Sequence, residues 1–238
     1  FMKSELDFLG YHITADGVAP MPSHVEAIDQ FPPPSEVKQL QRFLGMVNFY
    51  RRFIPGVARI LKPLTDALAG GAKSLDWSAT HQAAFEAAKA ALIKAVPLQH
   101  PDPAAELVLA TDASDTHIGG VLQQKKGASL RPLAFFSKKL DKTQRRYHTF
   151  DRELLAAYLT IRHFRFLLEG RHFTLMTDHK PLVAALQRVL PPWSAKQQRQ
   201  LAYIAEFTST VVHVAGPDNV VADALSLSLI HISEPTRL

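Results

Sequence analysis

The sequence predicts an α/β domain on a mixed five-stranded sheet with flanking helices, preceded by a mostly helical subdomain. Three observations predict it. Apolar or β-branched runs bounded by turn residues recur from residue 106 onward, as strands do. Helical periodicity dominates the residues before them and returns between the third and fourth runs. Two of the runs, moreover, close on the same dipeptide, Thr111-Asp112 and Thr177-Asp178.

The composition permits such a fold. The chain has 238 residues, 47% hydrophobic and 21% charged, enough for one large or two modest domains. With no Cys, it can form neither a disulfide framework nor a thiolate zinc site. No apolar run approaches the ~18 residues that span a bilayer, and no signal-peptide pattern opens the chain, so a soluble intracellular protein is expected. A formal charge of +5 is a mild bias toward polyanionic partners.

Taken in order, residues 7–13 and Gly17-Val18 read as a hairpin around Ala15-Asp16-Gly17. Residues 25–31 form a short helix that Pro32-Pro33-Pro34 stops. Ser35 is the expected cap of a longer helix, with Glu36 in its first turn. Val37, Leu40, Phe43, Leu44 and Val47 fall on one stripe of that helix; Gln41, Gly45, Asn48 and Arg52 fall together on its flank. A mid-helix glycine costs about 1 kcal/mol against alanine, so Gly45 marks a close approach, either of another helix or of a ligand. Pro55-Gly56 ends the helix, a further helix is expected over 57–68, and an Ala-rich one over 80–95.

The sheet region follows. Strands are expected at 107–110, 118–124, 132–137, 172–177 and 208–215, and helices at 146–168, 181–188, 194–205 and 220–225. The order is βββαβααβα. Three hairpin-linked strands followed by crossovers give a mixed sheet covered by helices. The expected organisation is a first subdomain over 1–69, a linker or tether helix over 70–105, the sheet domain over 106–226, and a tail over 227–238.

The chemistry lies in the acidic residues. If the first and fourth strands are parallel neighbours, Asp112 and Asp178 emerge at one edge, where α/β domains build sites. Glu153, early in the long helix and one position from its apolar stripe, can point at the sheet, and Ala157 one turn on leaves it room. Asp223 opens the last helix, which returns over the same edge. Acidic groups crowded together without basic neighbours need a cation to stay ionised. All-oxygen ligation suits Mg²⁺ or Mn²⁺. Two such ions about 4 Å apart would activate water and stabilise the leaving oxygen of a phosphodiester.

The segments Thr111-Asp112-Ala113-Ser114, Arg152-Glu153-Leu154-Leu155-Ala156, Thr177-Asp178-His179-Lys180-Pro181-Leu182 and 219–226 (Asn-Val-Val-Ala-Asp-Ala-Leu-Ser) together resemble the ribonuclease H domain of Ty3/gypsy-type LTR-retrotransposon reverse transcriptases. The resemblance implies a catalytic and metal-binding quartet of Asp112, Glu153, Asp178 and Asp223, two Mg²⁺ or Mn²⁺ ions, and hydrolysis of the RNA strand of RNA–DNA hybrids. His213 and Asn219, ten and four residues before Asp223, have the spacing of a loop His and Asn in retroviral relatives. Because His213 falls in or at the end of a strand, a structural role is the preferred reading and a catalytic one the alternative. Upstream, Phe8-Leu9-Gly10-Tyr11 is similar to the family's primer grip, and residues 43–54 to the thumb helix that follows the polymerase palm. The resemblance thus implies nucleic-acid contact by Phe8, Leu9, Gly10, Gln41, Gly45, Asn48 and Phe49.

It also implies partners and a setting: RNA–DNA hybrid and duplex nucleic acid, upstream palm and fingers in a longer polyprotein, no membrane, and the cytoplasm or a virus-like particle. The palm with its Tyr-x-Asp-Asp polymerase site is not in this sequence. After Ser226, where the family has Arg, the string 228–237 resembles translated adapter DNA, so the tail is set aside. Two other classes compete. A non-catalytic duplex-binding fragment would be expected to have lost a carboxylate, and none is lost. A transposase or integrase of the same sheet type would carry its Glu last, on a late helix, whereas Glu153 lies between the first two aspartates.

Overall fold

A computed structural model describes residues 3–187, 193–208 and 210–215. The chain opens with an antiparallel meander, β1 (Glu5–Phe8), β2 (Tyr11–Thr14) and β3 (Gly17–Pro20). The expected hairpin is therefore its second half. Helices α1 (Pro22–Asp29) and α2 (Val37–Phe49) follow. Glu36, not Ser35, occupies the cap position of α2. The Ser35 hydroxyl and backbone N–H both donate to the Gln39 side-chain oxygen instead. Of the predicted α2 stripe, Leu40, Phe43, Leu44 and Val47 are buried, each contributing roughly 1.5–3 kcal/mol of hydrophobic burial, while Val37 in the first turn is half-buried.

The single helix expected over 57–68 is two short ones, α3 (Val57–Ile60) and α4 (Lys62–Asp66). Pro63 sits in the first turn of α4, where its missing N–H costs nothing, but it could not have extended the preceding helix. In α5 (Ala79–Ile93), Ser78 and His81 form a reciprocal capping box. Phe85, Ala88 and Leu92 bury its inner side against Phe43 and the rest of the N-terminal core.

The large sheet comprises β4 (Leu107–Ala113), β5 (His117–Lys126), β6 (Ser129–Lys139), β7 (Phe173–Thr177) and β8 (Val211–His213), in the order β6-β5-β4-β7-β8. The first three strands are antiparallel; β7 pairs parallel with β4, and β8 parallel with β7. This is the mixed five-stranded sheet predicted. On one face lie α6 (Thr149–His163), α7 (Arg165–Leu168), α8 (Lys180–Gln187) and α9 (Ala195–Phe207), packed on Leu107, Leu109, Leu122 and Leu175. The helix expected over 146–168 is broken at Phe164, whose backbone leaves the helical region (ψ 12°). The break lets both Phe164 and Leu168 reach the sheet, each 1% exposed.

The opposite face of the sheet is covered by the N-terminal helices. Ala110, Val121 and Phe135 belong to the same core as α2 and α5. Polar contacts reinforce this junction: Arg51 Nη2 donates to the Ser137 carbonyl at 2.7 Å, the Ala58 N–H donates to Ser137 Oγ at 3.0 Å, and Lys139 pairs with Asp66. The last predicted helix with Asp223, the Asn219 before it, and the tail 227–238 lie outside the described residues. Among those residues no helix is long and apolar enough to cross a membrane.

Candidate active site

The parallel register of β4 and β7 brings two carboxylates together. Ala110 pairs with Met176, so continuing the register sets Thr111 beside Thr177 and Asp112 beside Asp178. Asp112 lies within β4, not after it, because pairing with β5 continues through Asp112–Gly119 to Ala113–Ile118. It is 9% exposed, while Asp178, just past β7, is exposed.

Glu153 comes from the first turns of α6 and is buried. Ala157, one turn on, is 0% exposed and lets the helix lie close to the sheet. Gly120 does the same from below: a Cβ there would sit 2.5 Å from Thr160 Cγ2. Asp112, Glu153 and Asp178 each offer a carboxylate oxygen within 4.8 Å of the others. Burial, then the charges of Asp112 and Asp178, push the Glu153 carboxyl up to about 9, against a hydrogen bond from the Ala113 backbone and the weaker effect of the Arg152 charge. Glu153 Oε2 is buried without a hydrogen-bond partner. The neighbouring cation, Arg152, is directed to Asp115 at 2.8 Å. An inward-facing, partnerless carboxylate oxygen beside two more carboxylates fits an oxygen-ligated divalent cation.

His213, at the end of β8, donates from Nε2 to the Asp178 backbone carbonyl at 3.0 Å. Thr177 Oγ1 accepts from the His179 N–H at 3.2 Å, fixing the turn that carries Asp178. Sequence reasoning passed over two features of this site. One is Gly120, signalled by a Gly-Gly pair inside a strand. The other is an aromatic stack against the start of α6, with Phe150 and Trp193 5.1 Å apart at 11° and His179 6.1 Å from Phe150. These rings are remote in sequence and carry no local signature.

The second group of predicted residues gathers elsewhere, on the N-terminal subdomain. Gln41, Gly45, Asn48 and Phe49 are exposed along α2, and Phe8 and Leu9 are exposed at the β1–β2 turn, with Gly10 half-buried. Phe49 stacks on Tyr11 at 5.2 Å and 14°, joining the helix face to the turn. A Cβ on Gly45 would meet no atom within 4 Å, so none of the described helices packs there.

Comparison with known proteins accords with this arrangement. Residues 77–175 match the family described as the RNase H-like domain found in reverse transcriptase. Over that stretch the chain resembles the RNase H-like domains of reverse transcriptases. Over its whole length it is similar to retrotransposon Pol polyproteins of the Ty3/gypsy type. It is 38% identical over 240 residues to the retrovirus-related Pol polyprotein from transposon 297 of Drosophila melanogaster, covering 100% of this chain and 22% of the relative. It is 32% identical over 238 residues to the transposon Tf2-3 polyprotein of Schizosaccharomyces pombe, covering 99% and 18%. The chain thus spans about a fifth of the length of the curated relatives it matches.

The RNase H-like fold also appears among solved structures. The foamy viral protease-reverse transcriptase in complex with RNA/DNA hybrid is similar at a TM-score of 0.78 and 22% identity, over 99% of this chain and 32% of that one. A related foamy viral structure in complex with double-stranded DNA is similar at 0.77 and 21%, over 90% and 38%. The RNase H-like sheet and the helical region before it are both included in the first alignment.

Proposed function

We propose that this chain hydrolyses the RNA strand of RNA–DNA hybrids as the nuclease part of a retrotransposon reverse-transcriptase polyprotein. The observation that carries the reading is the convergence of Asp112, Glu153 and Asp178 within 4.8 Å at the carboxyl ends of two parallel strands. These residues would hold Mg²⁺ or Mn²⁺, two ions by our reading, with Asp223 as a fourth ligand. Bound there, the ions supply a water of lowered pKa and stabilisation of the leaving oxygen.

The chain's own residues supply the rest. Asp112, in the rigid strand, and Asp178, at a strand end held by Thr177 and His213, fix ligand positions. Glu153 must lose its proton for a cation to bind, and its buried oxygen then faces inward. We assign His213 to positioning Asp178 through its carbonyl. Gln41, Gly45, Asn48, Phe49 and the turn Phe8-Leu9-Gly10 would grip the duplex, reading backbone and sugar edges, where the 2′-OH groups distinguish RNA from DNA. We assign residues 1–69 to the primer grip and thumb, 70–105 to the tether, 106–226 to the nuclease and 227–238 to a non-native tail. In the whole polyprotein, palm and fingers would precede this part, in the cytoplasm or a virus-like particle.

The test compares cleavage of RNA–DNA hybrid, duplex DNA and single-stranded RNA, with and without chelator, by the wild type and Asp178→Asn. Hybrid-specific cleavage leaving 3′-hydroxyl and 5′-phosphate ends is expected, abolished by either chelator or substitution. Cleavage surviving both would overturn the metal assignment. A folded wild type that binds hybrid but cuts nothing with Mg²⁺ or Mn²⁺ would make the chain a binding module.

A further inference from the structure

The turn between β1 and β2 is strained and exposed. Leu9 is, among the described residues, the one non-glycine with a positive φ, +48°. That conformation costs a branched L-residue about 1–2 kcal/mol. Burial does not repay it here, since the Leu9 side chain is 72% exposed and its neighbour Phe8 is 56% exposed. Strain of this kind persists only where the surroundings over-determine it.

The surroundings do so through a residue 40 positions away. The buried Tyr50 donates its hydroxyl hydrogen to the Gly10 carbonyl at 2.7 Å, and the Met21 N–H donates to the same oxygen at 3.0 Å. A phenol has one hydrogen, so His24 Nδ1, 2.8 Å from the Tyr50 oxygen, must be a donor to it. The seat is also sterically closed. A Cβ on Gly10, at φ +84°, would lie 3.1 Å from Phe49 Cε1, 3.2 Å from His24 Nδ1 and 3.2 Å from the Tyr50 oxygen. The turn therefore rests on Phe49, the exposed aromatic residue at the end of the proposed duplex-binding face.

We infer that Tyr50, backed by His24, is a positioning residue that locks the Leu9-Gly10 turn so that Leu9 meets the sugar edge of a bound duplex. The locked turn enters the encounter without an ordering cost, which is how a small apolar tip contributes measurably to affinity. The inference rests on the reading of the α2 face as the duplex grip, and it adds a residue that touches no nucleic acid.

The experiment measures the dissociation constant of the full chain for an RNA–DNA hybrid with a recessed 3′ end, by fluorescence anisotropy across a salt series. Tyr50→Phe, which deletes one oxygen, is expected to weaken binding about three- to tenfold, the scale of one lost hydrogen bond. Leu9→Ala should weaken it similarly, and the double variant should be no weaker than Leu9→Ala alone. The slope of log Kd against log salt should stay that of the wild type, because no phosphate contact is lost. If Tyr50→Phe fails to fold, His24→Ala removes the donor behind the phenol and should weaken binding in the same direction without altering the slope. Wild-type affinity in Tyr50→Phe while Leu9→Ala weakens binding, or additive losses in the double variant, would overturn the inference alone. Unchanged affinity in Leu9→Ala, Gln41→Ala and Phe49→Ala together would overturn it along with the duplex-grip reading.

Discussion

Gly120 of β5 lies directly beneath Thr160 of α6: a Cβ on the glycine would come within 2.5 Å of Thr160 Cγ2 and 2.9 Å of its Oγ1. Thr160 is two helical turns from Glu153, on the same side of the helix, so this contact sets how low the carboxylate sits over Asp112. Gly120→Ala should destabilise the protein by about 1–3 kcal/mol through overpacking and weaken Mg²⁺ binding at the site. Thr160 Oγ1 is buried without a hydrogen-bond partner, so Thr160→Ala should cost little by itself. The double variant should recover most of the loss. Denaturant melts and isothermal titration with Mg²⁺ check both points; additive damage in the double variant would show that the contact is not what places α6.

The Glu153 carboxyl makes metal-free stability depend on pH in a definite direction. Its folded value is about 9 and its ordinary value 4.5, so between these the folded state holds a proton that the unfolded chain has lost. Stability from this group is full below 4.5 and falls as pH rises toward 9, with a limiting slope of about 1.4 kcal/mol per pH unit. Urea melts in chelator at several pH values should show the decline, and Glu153→Gln should flatten it. With Mg²⁺ present the trend should weaken or reverse, because cation binding favours the ionised carboxylate and stabilises the folded state by mass action.

His213 reaches Asp178 through a backbone carbonyl, not through the carboxylate. His213→Ala should therefore slow hybrid cleavage by no more than about tenfold, the worth of one hydrogen bond, with KM for the hybrid unchanged. Asp178→Asn should abolish cleavage. Equal losses from the two substitutions would assign His213 a direct part in the chemistry.

The α2 face offers a separate handle. Gln41→Ala and Phe49→Ala alter exposed side chains, so melting temperatures should stay close to the wild type while hybrid affinity at fixed salt falls several-fold. Unchanged affinity would mean that the open surface around Gly45 serves something other than duplex.

What the sequence by itself determined is the set of local elements and the acidic residues they carry. Apolar runs closing on Thr-Asp placed Asp112 and Asp178 at or near the carboxyl ends of strands, and the stripe of α2 separated its buried residues from Gln41, Gly45 and Asn48. Both signals are local, because a strand or helix repeats its environment every two or 3.6 residues. The tertiary structure decided what no such period encodes. The Ala110–Met176 register set the two aspartates side by side, and Gly120 allowed α6 close enough to add Glu153. Residues such as Ala110, Val121 and Phe135 announce a second buried face of the sheet, but an apolar side chain does not say which helices will cover it. The break at Phe164, the Phe150–Trp193 stack and the Tyr50–Gly10 hydrogen bond likewise join residues through space. Their free energy comes from contacts between elements already formed, which is why they leave no pattern along the chain.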